Sequence, residues 1–121
     1  MRKVLTAAVG VAAFAALSIA AAPAAMAHDT IGEVYGCGSG GAKRCGYGGV
    51  TNNHHRVYSC DTYGDHYGIR VYYSTTAGTP GYIDDANGSS SGCSERTIAA
   101  TIAEYQVCHT GNGRCSAQIR P

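Results

Sequence analysis

The sequence predicts an all-β domain, a small antiparallel sandwich or open barrel of about six strands stapled by disulfides. Three observations carry this expectation. Past Ala27 the chain has no Leu, Met, Phe or Trp, and its large apolar side chains are six Ile, five Val and nine Tyr. Branched and aromatic side chains lose rotamer freedom in helices and pack well on a pleated sheet. Glycine is abundant, at 17 in the 121 residues, which supplies turns and weakens helices. Finally, all six cysteines (Cys37, Cys45, Cys60, Cys93, Cys108 and Cys115) lie past residue 27. A core of so few aliphatic side chains is thin, and small exported domains commonly make up the deficit with cross-links.

Residues 1–27 read as a cleaved secretory signal peptide. Arg2 and Lys3 form the charged start, an alanine-rich apolar stretch follows, and Ala25-Met26-Ala27 is a small-x-small cleavage site. Residues 28–121 are then a single disulfide-rich domain with His28 at its amino terminus, expected to be secreted and extracellular. The domain holds seven Lys or Arg against eight Asp or Glu. A nearly neutral surface without a basic run gives no electrostatic reason to expect nucleic acid as a partner. Nor does it suggest an anionic membrane once the leader is removed. A monomer is expected.

The elements follow in order. Residues 28–35 are a weakly alternating first strand, with Ile31 and Val34 as its apolar positions. The glycine-rich stretch 36–49 reads as a loop closed by a bridge. It is not a phosphate cradle, since Lys43 is followed by Arg44 and not by Ser or Thr. Residues 54–60 and 69–73 both alternate with a period of two around the turn residues 61–65, which reads as an antiparallel hairpin. Tyr82-Ile83-Asp84 is a short strand ended by Asn87-Gly88, a favoured turn dipeptide. Residues 89–94 form a polar loop. The alanines within 98–102 allow a turn of helix. Residues 104–120 form a last hairpin about Gly111-Asn112-Gly113.

Six cysteines allow fifteen pairings that spacing alone cannot resolve. The pairing favoured is Cys37–Cys45, Cys60–Cys93 and Cys108–Cys115, because the first and last pairs each enclose a short glycine-bearing loop. No C-x-x-C occurs, so zinc thiolate chemistry is not expected.

An ordered series runs through the chain. It comprises Arg56-Val57-x-x-Cys60-Asp61, Gly68-x-Arg70-Val71, Asp85-Ala86-Asn87-Gly88 with Gly92-Cys93, Tyr105-x-Val107-Cys108, and Cys115-Ser116. In these motifs the chain resembles a family of uncharacterised small secreted actinobacterial proteins. The resemblance implies export and carries no known activity; the Cys37–Cys45 segment lies outside it.

Three constellations bear on function. Tyrosines crowd the middle of the chain, and Tyr58, Tyr67, Tyr72 and Tyr82 are candidates for a platform that stacks a glycan or a partner protein. A terminal His28 could chelate copper through its amine and imidazole, with a second imidazole from His54, His55, His66 or His109, of which His66 is the first choice. This arrangement resembles the sites of exported copper carriers and of polysaccharide-cleaving monooxygenases, although the chain is short and lacks the carriers' surrounding motifs. The loop 38–44, with basic Lys43-Arg44, could present itself to an extracellular trypsin-like protease as an inhibitor. Against catalysis, there is no G-x-S-x-G, every cysteine is expected to be oxidised, and the neighbours Asp84 and Asp85 would face opposite sides of a strand. The expectation is therefore a non-enzymatic binding or interaction protein, with no cofactor unless copper binds at His28.

Overall fold

The computed structural model describes residues 29–121. Seven strands form two antiparallel sheets packed face to face. The strands are β1 (Thr30–Cys37), β2 (Lys43–Thr51), β3 (Arg56–Asp61), β4 (Ile69–Thr75), β5 (Pro80–Asp84), β6 (Ser94–Thr97) and β7 (Ile102–His109). One sheet has the order β1-β2-β3-β6 and the other β5-β4-β7. This is a sandwich, and the sheets do not close into a barrel. Among the described residues no helix occurs apart from a 3-10 turn at Ser39–Gly41, and none there is long and apolar enough to cross a membrane.

The core lies between the sheets. Val34, Val50 and Val57 from the four-stranded sheet meet Ile69, Val71, Ile83, Ile102, Tyr105 and Val107 from the three-stranded one. Tyr105 supplies bulk that the missing Leu and Phe would otherwise provide. Its hydroxyl donates to Thr30 Oγ1 at 3.0 Å, tying the two sheets and satisfying a polar atom that burial would otherwise penalise. Burial raises the pKa of that phenol above its usual range.

Four sequence expectations are corrected. Residues 43–51 form β2, an inner strand, rather than part of a loop. The glycines that argued against a strand are what let it lie there: a Cβ at Gly46 would strike Ile69 and the Cys60 carbonyl, and one at Gly48 would strike Val71 and the Tyr58 carbonyl. The second correction concerns β3 and β4, which are not a hairpin. They sit in different sheets and face each other, with Ser59 Oγ donating to the Ile69 carbonyl at 2.8 Å. Both have the right period; the loop between them crosses the sandwich instead of turning back. Third, the polar loop expected over 89–94 ends one residue earlier, at Cys93, because Ser94 opens β6, which pairs with β3 from Arg56↔Thr97 to Ser59↔Ser94. Fourth, residues 98–101 are not helical. The Ile98 and Ile102 amides donate to the carbonyls of His55 and His54, so the β2–β3 turn takes bonds a helix would need. The return after β7 pairs only at Cys108↔Cys115 and Tyr105↔Ile119.

Disulfides join Cys37–Cys45, Cys60–Cys93 and Cys108–Cys115, the pairing favoured from the loop lengths. The first ties β1 to β2, the second ties the end of β3 to the residue before β6, and the third closes the turn after β7.

Candidate functional site

The outward face of the three-stranded sheet carries large side chains that lie outside the core. On β4 and β5 the register places Tyr72 opposite Tyr82 and Arg70 opposite Asp84. Alternation then sends all four to the same side, away from the core residues Ile69, Val71 and Ile83. Tyr72 and Tyr82 remain 45% and 50% exposed. Their ring centroids are 6.3 Å apart, with the planes tilted by 54°. The Arg70 guanidinium lies 4.1 Å from the centre of the Tyr82 ring and 5.8 Å from that of Tyr72, a cation–π arrangement.

Arg70 is locked in place by a fork onto Asp84. Its Nε donates to Oδ1 at 2.7 Å and its Nη2 to Oδ2 at 2.9 Å. These bonds to Asp84, and then the contact with Tyr72, hold the Arg70 pKa above its ordinary value. A bidentate pair of this kind adds orientation as well as attraction. Gln106 on β7 flanks Tyr72 on its other side.

Beside this face a hollow of about 690 Å³ opens towards the β5–β6 edge, lined by Tyr72, Tyr73, Pro80, Gly81, Tyr82 and Arg96. Arg96 Nη1 donates to the Tyr82 carbonyl at 3.2 Å, covering a backbone acceptor that β5 leaves free at its edge. The arrangement offers two stacking rings, a fixed cation–carboxylate pair and a second guanidinium on one rigid surface.

The other tyrosines lie elsewhere. Tyr58 is on the opposite sheet, edge-on to Tyr47 at 6.4 Å, and burial pushes its hydroxyl pKa up. Tyr67 is exposed at one end of the sandwich, edge-on to His109 at 5.8 Å. The four tyrosines singled out from the sequence therefore form one pair and two separate positions. Arg70, Asp84 and Arg96 were not singled out. The signal for the first two was present, since Arg70-x-Tyr72 and Tyr82-x-Asp84 are mirror-ordered about the 76–79 turn.

A second polar cluster occupies the end of the sandwich where the loops after β3, β5 and β7 meet. His109 is 3% exposed. Its Nε2 bonds Asp65 Oδ2 at 2.9 Å, while Nδ1 accepts the Asn112 N–H at 3.0 Å. With Nδ1 accepting, the neutral ring carries its proton on Nε2 and donates it to Asp65. Asp85 Oδ2 accepts the Asp61 amide at 2.7 Å, and Asp61 Oδ1 accepts the Tyr63 amide at 3.1 Å. Burial is the largest influence on Asp61 and pushes its carboxyl pKa up; Asp65 and Asp85 add to the rise, and His109 and the Tyr63 bond oppose it. Both ring nitrogens of His109 are engaged, so the cluster acts as a pin between loops.

The metal candidates are placed as follows. His28 lies outside the described residues. His66 is exposed in a turn at φ 67°, and His109 is engaged as above. His54 and His55 lie in the β2–β3 turn, where His55 Nδ1 is 3.1 Å from the Ile98 carbonyl. Ligand atoms of Cys37, Cys45 and His109 approach within 4.8 Å of one another, but the two sulfurs are bonded to each other and offer no thiolate. Asp84 and Asp85 do face opposite ways, one to Arg70 and the other to the Asp61 amide.

Lys43 and Arg44 begin β2 and do not project as a loop. Arg44 Nη1 donates to Glu33 Oε1 at 2.7 Å and its guanidinium covers the Tyr47 ring at 4.8 Å. The Arg44 bond is the main influence holding the Glu33 carboxyl below its usual range.

Compared with protein-family models, curated proteins and solved structures, the chain matches none.

Proposed function

We propose that the chain is a small, exported, non-enzymatic binding module. In this reading it presents the outward face of the β5-β4-β7 sheet to a glycan, stacking sugar rings on Tyr72 and Tyr82. The observation that carries the reading is the directly opposed, half-exposed tyrosine pair beside the Arg70–Asp84 fork. A sugar ring has an apolar face that stacks on aromatic rings and a rim of hydroxyls that needs donors and acceptors. The face offers both, and the hydrogen-bonded fork keeps them preorganised, which reduces the ordering cost of binding. Export is supported by the leader-like residues 1–27 and by three disulfides, which persist in oxidising compartments.

Glycan is preferred over protein partner because the face is small and interrupted by charge. A stable protein interface usually centres on a larger apolar core. The inhibitor reading has less support, since Arg44 is held by Glu33 and Tyr47.

The test is depletion of the protein from solution by a panel of immobilised neutral and acidic polysaccharides. Retention on at least one matrix is expected, and loss of that retention in a Tyr72→Ala, Tyr82→Ala double variant that still melts in one cooperative transition. Retention on no matrix, or equal retention of the double variant, would remove the proposal.

A further inference from the structure

We infer that the ligand of this face is an acidic polysaccharide, a carboxylate-bearing chain that crosses Tyr82 and Tyr72 with a carboxylate against Arg96. The inference rests on the glycan-binding reading above and adds the charge of the ligand and its extended form.

The extended form comes from the position of Tyr72. Its ring borders the hollow of about 690 Å³ at the β5–β6 edge, which it shares with Tyr82 and Arg96. It also borders one of about 380 Å³ towards the Cys108–Cys115 turn, shared with Arg70 and Thr110. A third, of about 180 Å³, lies towards Glu104, Gln106 and Gln118, where the Glu104 carboxylate is paired with Arg120. Three depressions meeting at one ring make a track, not a closed pocket. The separation of 6.3 Å between the Tyr72 and Tyr82 centroids is on the scale of one pyranose residue along a chain. Consecutive sugars can therefore rest on consecutive rings.

The charge comes from an imbalance among the arginines. Arg44, Arg56, Arg70 and Arg120 each face a carboxylate, Glu33, Glu95, Asp84 and Glu104 respectively. Among the described residues Arg96 and Arg114 have no such partner; the Arg114 side chain lies against Gly36, whereas Arg96 lines the hollow beside Tyr72 and Tyr82. The single bond of Arg96, to the Tyr82 carbonyl, leaves most of its five N–H donors for a ligand. No carboxylate borders the hollow it lines. An uncompensated guanidinium beside two stacking rings suits a sugar that carries a carboxylate, the group whose geometry matches the guanidinium fork.

The experiment is calorimetric titration of the oxidised protein with galacturonate and mannuronate oligomers of increasing length, and with the same oligomers after their carboxyl groups are reduced to alcohols. Affinity should rise from dimer to hexamer, and carboxyl reduction should weaken binding about tenfold, as loss of one charge-assisted bond implies. Arg96→Gln should abolish that difference while keeping binding that Tyr72→Ala removes. Equal binding of acidic and reduced oligomers, if sensitive to Tyr72→Ala, would overturn the inference and leave the glycan-binding reading standing. Absence of any Tyr72-dependent binding would overturn both.

Discussion

The two sheets of the sandwich use their side chains in opposite ways. In the four-stranded sheet, β2 gives up side chains at Gly46 and Gly48 so that Ile69 and Val71 of the facing sheet can fill the space. Two of the three disulfides, Cys37–Cys45 and Cys60–Cys93, are anchored in this sheet. The three-stranded sheet carries large outward side chains, Tyr72, Tyr82 and Arg70, and one disulfide at its end. The contrast teaches a division of labour. One sheet is thinned and stapled to make a small core cohere, with Ile31 and Tyr35 exposed on its edge strand β1, while the other pairs two exposed tyrosines directly across β4 and β5.

The largest expected effect tests the stapling. The Cys60–Cys93 bridge spans 33 residues, against 8 and 7 for the other two. On the chain-entropy account, removing it by Cys60→Ala with Cys93→Ala should cost about 4 kcal/mol, and removing either short bridge about 2–3 kcal/mol. Urea unfolding followed by circular dichroism reads this directly. Equal losses from all three would show that loop length does not set their contribution.

Next comes the thinned strand. Gly48→Val places a branched side chain where Val71 and the Tyr58 carbonyl already stand, and overpacking of that kind should cost about 3 kcal/mol. A Gly48→Val protein that melts like the parent would mean the sheets can move apart, and the contrast between them would lose its basis.

A smaller effect concerns the pinned end of the sandwich. Asp61 is 4% exposed, and burial raises its pKa above the unfolded value. A carboxyl shifted this way contributes stability below its unfolded pKa, and that contribution is lost as pH rises through the folded pKa. Asp61→Asn should therefore raise the melting point relative to the parent at pH 7, with the advantage shrinking as pH falls through the carboxylate range. Glu33, whose pKa is lowered chiefly by Arg44, acts in the opposite sense in both proteins and cancels in the difference. A melting-point difference that stays constant between pH 7 and pH 3 would contradict the assignment.

How much of this was legible in the chain follows from what alternation can and cannot encode. The all-β class and the strands around Val57, Val71 and Ile83 could be read from residue type and period; the short glycine-bearing loops favoured the disulfide pairing that forms but did not exclude the others. Strand β2 could not, because Gly46 and Gly48 acquire their meaning only from Ile69 and Val71 in another sheet. The partnership of β3 was also hidden: a crossing loop and a hairpin loop carry the same turn residues at 61–65. For the site, tyrosines could be counted but not sorted. Opposing Tyr72 to Tyr82 requires the β4–β5 register, and once that register is known Arg70 and Asp84 fall beside them without further information. Arg96 arrives from a different sheet, and no local pattern announces it.

The smallest expected effect on stability belongs to the exposed face. Tyr72→Ala and Tyr82→Ala should each change stability by less than about 1 kcal/mol, the scale of a cross-strand pair. Truncation of buried Tyr105 should cost about 3–5 kcal/mol. Comparable losses at Tyr72 and Tyr105 would mean that the outward tyrosines serve the fold.

The central claim, that the outward face of the three-stranded sheet is the binding surface, is tested most directly by nuclear magnetic resonance. A galacturonate hexamer is titrated into isotope-labelled protein and amide shifts are followed residue by residue. The account predicts that the perturbations concentrate at residues 70–73, 81–83 and 96, leaving Tyr47, Tyr58 and the rest of the four-stranded sheet unchanged. Perturbations centred on Tyr47 and Tyr58, or none at Tyr72 and Tyr82 under saturating ligand, would contradict it.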